Sequence, residues 1–90
     1  MSLWFYFSFA DSERPKGTQF LGGCYIEAPP EAEALDGPAM LWETIIKSHR
    51  LGINPGGEIK TVGPFPAELI EKTVPPANRE RLLTREEINP

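Results

Sequence analysis

Few side chains in this 90-residue chain are equipped for chemistry, and they are scattered. There is one cysteine, Cys24, one histidine, His49, and a pair of carboxylates in one loop, Asp11 and Glu13. A thiol or imidazole works as nucleophile or base only when a neighbour manages its proton and a donor awaits the developing charge. His49 has no visible partner for general-base work, and no Cys, Asp or second His stands at ligand spacing from it, so no metal site is expected. Asp11 and Glu13 lie in a polar loop, with nothing to fix them against a base. The chain reads as non-enzymatic, without cofactor or metal.

Two other groupings suit binding. The first is glycine-rich and cationic. Gly56 and Gly57 follow Asn54-Pro55 just beyond Arg50, and exposed amides at such a turn can form a small anion nest. The loop Arg14-Pro15-Lys16-Gly17 adds two more cations. Together Arg14, Lys16, Gly17, Arg50, Asn54, Gly56 and Gly57 form a candidate site for a phosphate-bearing small molecule such as a signalling nucleotide. The Gly-x4-Gly-Lys-Ser/Thr spacing of a P-loop is absent. The plainer role for Asn54-Pro55-Gly56 is a type II turn, with proline presetting one dihedral and glycine accepting a positive φ. The second grouping is aromatic: Trp4, Tyr6 and Tyr25, rings with polar handles that fit a contact surface or a stacking platform.

The elements that must position these residues begin with a β-hairpin over residues 1–28. Its arms run Leu3 to Phe9 and Thr18 to Ile26, and its loop runs Ala10 to Gly17. Alternation sends Leu3, Phe5, Phe7 and Phe9 to one face, the expected core, and Trp4, Tyr6 and Ser8 to the other. In the second arm Phe20, Cys24 and Ile26 share a face, opposite Leu21, Tyr25 and Glu27, which makes Cys24 a buried small hydrophobe. Gly22-Gly23 inside a strand implies a bulge or a close approach of backbone. The Trp4/Tyr6/Tyr25 face is expected either to be covered by a helix or the chain's own tail, or to serve as an interface.

An acidic Pro- and Ala-rich connector, residues 29–37, leads into the main helix, residues 38–51, capped by Asp36 or Gly37, with Pro38 at its first turn and Gly52 beyond its end. Leu41, Trp42, Ile45, Ile46 and His49 recur at helical spacing and are expected to lie on the sheet. Lys47, His49 and Arg50 complement the dipole at the helix end. A strand over 58–62 follows, ended by Gly63-Pro64-Phe65-Pro66, then short helices and a tail over 66–90. These comprise two turns from Pro66 to Lys72 with Leu69 and Ile70 inward, a further short helix from Ala77 to Leu83, and a capping box at Thr84-Arg85-Glu86-Glu87. One turn of helix is marginal alone, so the tail is expected to dock through Leu82, Leu83 and Ile88, on its own domain or on another subunit.

Composition sets the outer limits. Charged residues are 24% and hydrophobic ones 40%, a globular balance, and ten prolines argue for short elements joined by stiff loops. A domain of this size buries only about 60–65% of its unfolded surface, so a homodimer is a reasonable expectation. The net charge of −4 and pI near 4.9 weigh against a nucleic-acid partner. A single cysteine excludes an internal disulfide and suits a reducing cytoplasm. No stretch approaches a membrane span, and Met1-Ser2-Leu3-Trp4 lacks the basic start of a signal peptide.

Four phrases, Phe7 to Asp11, Arg14 to Gly22, Leu51 to Glu58 and Leu82 to Glu87, together resemble a family of small proteins found in phage genomes and mobile elements. The resemblance spans most of the chain outside 29–37. It implies a stand-alone cytoplasmic accessory protein and brings no activity or catalytic residue with it. The expectation is a single α+β domain, a hairpin plus a third strand with one main helix packed on it and short C-terminal helices. It is expected to bind a protein partner, acting on host machinery by contact.

Overall fold

The computed structural model describes residues 2–88, and the ends of the tail expectation, Asn89 and Pro90, lie outside them. The chain forms an α+β domain: β1 (Leu3–Ala10), β2 (Phe20–Glu27), a 3-10 turn (Pro30–Ala32), α1 (Gly37–Arg50), β3 (Glu58–Pro66), α2 (Ala67–Thr73), a second 3-10 turn (Pro76–Asn78) and α3 (Arg85–Ile88). The three strands pair antiparallel in the order β2-β1-β3, so the hairpin's first arm becomes the central strand.

Phe5, Phe7 and Phe9 alternate into the core with Cys24, Ile26, Ala28, Ala32 and Met40, and Leu41 and Ile45 of α1 pack against this cluster. The Asp36 carboxylate accepts the Ala39 amide at 2.9 Å and starts α1 as a side-chain cap. The buried face of α1 is only partly the one its large apolar residues suggest: Leu41 and Ile45 border it, but smaller residues form its centre. Met40, Thr44 and Ser48 are buried at spacings of four, while Trp42 is 62% exposed and His49 is exposed. Thr44 and Ser48 satisfy their hydroxyls within the helix, on the carbonyls of Met40 (2.8 Å) and Ile45 (2.6 Å). Small side chains with internally bonded hydroxyls let the helix lie close on a layer of phenylalanines, where Trp42 would not fit.

β2 carries the next departure. Phe9 pairs with Gly22 but Ala10 pairs with Phe20, so Leu21 is an extra residue and the side chains of β2 change face there. Phe20 therefore joins Ala10, Ser8 and Tyr6 rather than the phenylalanine core, and Leu21 packs toward the core instead. The bulge falls at the foot of Gly22-Gly23, and the close approach expected there is present as well. A Cβ on Gly23 would strike the Tyr6 hydroxyl and Ile88, and one on Gly22 would strike Leu82.

The tail docks on its own domain. Leu83 and Gly23 exchange both backbone hydrogen bonds, at 2.7 and 3.1 Å, along the outer edge of β2, and Leu83 is buried. The chain bends through residues 79–81, with Glu80 at φ +54°, before Leu83 bridges to β2, and no helix forms from Ala77 to Leu83 beyond the 3-10 turn at Pro76–Asn78. The Thr84–Glu87 capping box is present: Thr84 Oγ1 accepts the Glu87 amide and the Glu87 carboxylate accepts the Thr84 amide. Glu80 fastens the start of this run. Its amide donates to the Tyr25 carbonyl, and its carboxylate lies 2.8 Å from the Lys47 ammonium, which also donates to the Glu27 carbonyl. α2 buries Ile70 but leaves Leu69 42% exposed. β3 does not stop at Val62, since its pairing with β1 runs on through Phe65 and Pro66.

Candidate functional site

The register of the sheet sorts the predicted site residues. β3 begins opposite the end of β1, with Glu58 across from Ala10, so the Ala10–Gly17 loop and the Asn54–Gly57 turn share one end of the sheet. Gly57, at φ +78°, lies tight beneath the Ala10 carbonyl. The two loops meet, but the cations around them do not converge. The Arg14 guanidinium reaches back to the Thr18 carbonyl of its own loop at 3.4 Å, and Arg50 rides on α1 on the phenylalanine side of the sheet. Lys16 is exposed in the loop. The Gly56 amide is already donated to Asn54 Oδ1 at 2.8 Å, so the expected nest lacks one of its donors. Asn54 is held from below through its side-chain amide, 3.1 Å from Ser48 Oγ.

The three aromatics share the other face of the sheet, away from the loops. Trp4 pairs with Glu27 and Phe65 at the far end of β1, about 20 Å of strand from Ala10, beyond stacking reach of a ligand at the loops. Tyr6 and Tyr25 face each other with ring centroids 4.9 Å apart. Tyr25 borders a small hollow together with Val74, Leu83 and Ile88. The chain's own α2 and tail thus cover much of this face. Burial, then the neighbouring Tyr25, holds the Tyr6 phenol above its ordinary value.

The residues considered for catalysis have structural roles or none. Asp11 accepts the Glu13 amide and shapes the loop, with Gln19 donating to the Ser12 and Arg14 carbonyls. Cys24 is fully buried, and burial pushes its thiol up to about 12. His49 is exposed, with Nε2 3.3 Å from the Asn54 side-chain amide. Among the described residues no group of three His, Cys, Asp or Glu is placed to hold a metal ion. Among the described residues no helix is long and apolar enough to cross a membrane.

A concave site does form, around a residue that alternation alone placed in the core. Because the bulge turns Phe20 outward, its half-buried ring lies between two contiguous hollows of about 360 and 280 Å³. The first is walled by Leu21, Gly22, Thr84 and Glu86, and the second by Ser8, Ala10, Glu58 and Lys60. Gly17, Phe20 and Arg85 border both. The Arg85 guanidinium sits over the Phe20 ring, 5.5 Å from its centroid, a cation–π contact that fixes an otherwise flexible side chain. Of the predicted site residues only Gly17 reaches this groove. Lys60 and Arg85 supply its cations, Glu58 and Glu86 its anions, and the docked tail supplies one wall.

No protein-family model matches the chain, and neither a curated protein nor a solved structure is similar to it.

Proposed function

We propose that the chain is a non-enzymatic interaction protein that takes part of a polypeptide partner into the groove around Phe20. The observation that carries this reading is Arg85 stacked over Phe20 where two hollows join. An aromatic and an arginine held together at the centre of a concave patch have the composition of a binding hot spot. The mixed lining, Lys60 and Arg85 against Glu58 and Glu86, suits a peptide that carries both signs or a polar backbone more than it suits a bare phosphate. Carried over from the sequence resemblance, the setting is a cytoplasmic accessory protein of a phage or mobile element that acts on host machinery by contact, and self-association belongs to the same reading. A random peptide library selected on the protein, with counter-selection on Phe20→Ala, tests it: binders should survive on the parent and be lost on Phe20→Ala and Arg85→Ala. Selected peptides that bind both variants as well as the parent sink the proposal.

A second reading keeps a phosphate-bearing small molecule as ligand, with its site moved from the two loops to Lys60 and Arg85 beside the Phe20 ring. The flanking cations favour it, and Glu58 and Glu86 oppose it. Titration with adenosine and guanosine mono- and triphosphates, read by thermal shift, separates it from the peptide reading.

A further inference from the structure

The two edges of the sheet are treated differently. The outer edge of β2 is closed by the tail through Gly23 and Leu83. β3 forms the other edge, and seven of its nine residues are exposed, including Val62 at 51%. An edge strand presents unpaired amides and carbonyls to any matching strand.

From this edge we infer that two copies of the chain pair antiparallel along β3, in the register that sets Glu58 of each copy opposite Lys60 of the other. It deepens the self-association named above and stands independently of what fills the groove. A two-fold axis perpendicular to the sheet keeps like faces together, so the candidate registers differ only in the residue on the axis. Glu58 and Lys60 share the face of Ala10 and Ser8, while Ile59 points to the phenylalanine side. Centring the axis on Glu58 sets glutamate against glutamate, and centring it on Lys60 sets lysine against lysine. Centring it on Thr61 sets Lys60 against Val62 and Glu58 against Pro64, which has no amide to give. Centring on Ile59 makes two Glu58–Lys60 pairs and brings the two Ile59 side chains together. A lysine on an edge strand normally discourages pairing. Here it rejects the neighbouring registers and is neutralised in this one. The result is a continuous sheet with three strands from each copy, and it places the Glu58/Lys60 walls of both grooves side by side on one face.

The test is sedimentation velocity of the full chain over a wide concentration range, with charge-reversal variants. The parent should dimerise reversibly. Glu58→Lys and Lys60→Glu should each weaken the dimer at least about tenfold, equivalent to about 1.4 kcal/mol, and the double reversal should restore it. All four residue states sit on exposed positions, so circular dichroism should show unchanged folds. As a second readout, Ile59→Cys should form a covalent dimer on oxidation, since Cys24 is fully buried. A parent that stays monomeric throughout overturns the inference, and so does a dimer indifferent to the single reversals or not rescued by the double one. Phe20→Ala should leave the dimer intact while peptide binding is lost, which keeps failure of the groove reading distinguishable from failure of this one.

Discussion

Replacing Gly57 by alanine should damage this fold far more than the same change one residue earlier, and the contrast isolates a steric effect from a conformational one. Gly56 and Gly57 both have positive φ, +86° and +78°. A Cβ at Gly56 would meet nothing within 4 Å, whereas one at Gly57 would press into the Ala10 carbonyl oxygen and approach Leu21 Cδ1 at 3.2 Å. The left-handed conformation costs an alanine about 1 kcal/mol at either site. At Gly57 the end of β1 must also shift away, an overpacking penalty of about 2 kcal/mol, for a total near 3 kcal/mol. A domain of this length has roughly 5–14 kcal/mol to lose. At about 4–8 °C per kcal/mol, the midpoint should fall by about 12–24 °C for Gly57→Ala and by about 4–8 °C for Gly56→Ala. Urea unfolding followed by circular dichroism measures the free energies directly. Equal losses for the two variants would refute the argument that Gly57 fixes where β3 starts against Ala10.

Two pH effects follow from the buried thiol and from the tail. Burial raises the Cys24 thiol from 9.0 to about 12, so the unfolded chain gives up this proton first. Stability from the neutral thiol is therefore complete below pH about 9 and is lost as pH rises towards about 12. Cys24→Ala should flatten that alkaline limb of the stability curve, and an aromatic disulfide reagent should modify the native thiol only as fast as the protein unfolds. Prompt modification at neutral pH would contradict the burial. In the tail, the Arg81 guanidinium and then the Thr84 amide hold the Glu87 carboxyl at about 2, down from 4.5. Its contribution to docking of α3 is full above pH about 4.5 and disappears as pH falls through about 2. A carboxyl carbon titration should find Glu87 depressed in the parent and near its ordinary value in Arg81→Ala; an ordinary value in the parent would remove the anchoring role.

Much of the architecture was legible because local chemistry and global fold agree. The phenylalanine alternation, the Asp36 cap and the Thr84–Glu87 capping box each act within a few residues, where spacing and side-chain type decide the outcome. The misplacements arise where tertiary geometry overrides hydrophobic rank. α1 buries Thr44 and Ser48 rather than Trp42 because closeness to the phenylalanine layer favours small side chains with internally bonded hydroxyls. Phe20 changes face because one inserted residue, Leu21, reverses the alternation. Gly22-Gly23 did announce an irregularity, but nothing in the spacing said which neighbour would be flipped. The groove inherits that blindness. Its centre is the flipped Phe20, and its cation Arg85 arrives from more than sixty residues away on a tail whose docking partner was open.

Engagement of a partner by the groove at Phe20 can be read residue by residue through chemical-shift mapping. An isotope-labelled sample titrated with a library-selected peptide should show amide shifts concentrated at Gly17, Phe20, Leu21, Gly22 and Arg85, absent in Phe20→Ala. Shifts clustered instead around exposed Trp42 on α1, or undiminished in Phe20→Ala, would contradict the account.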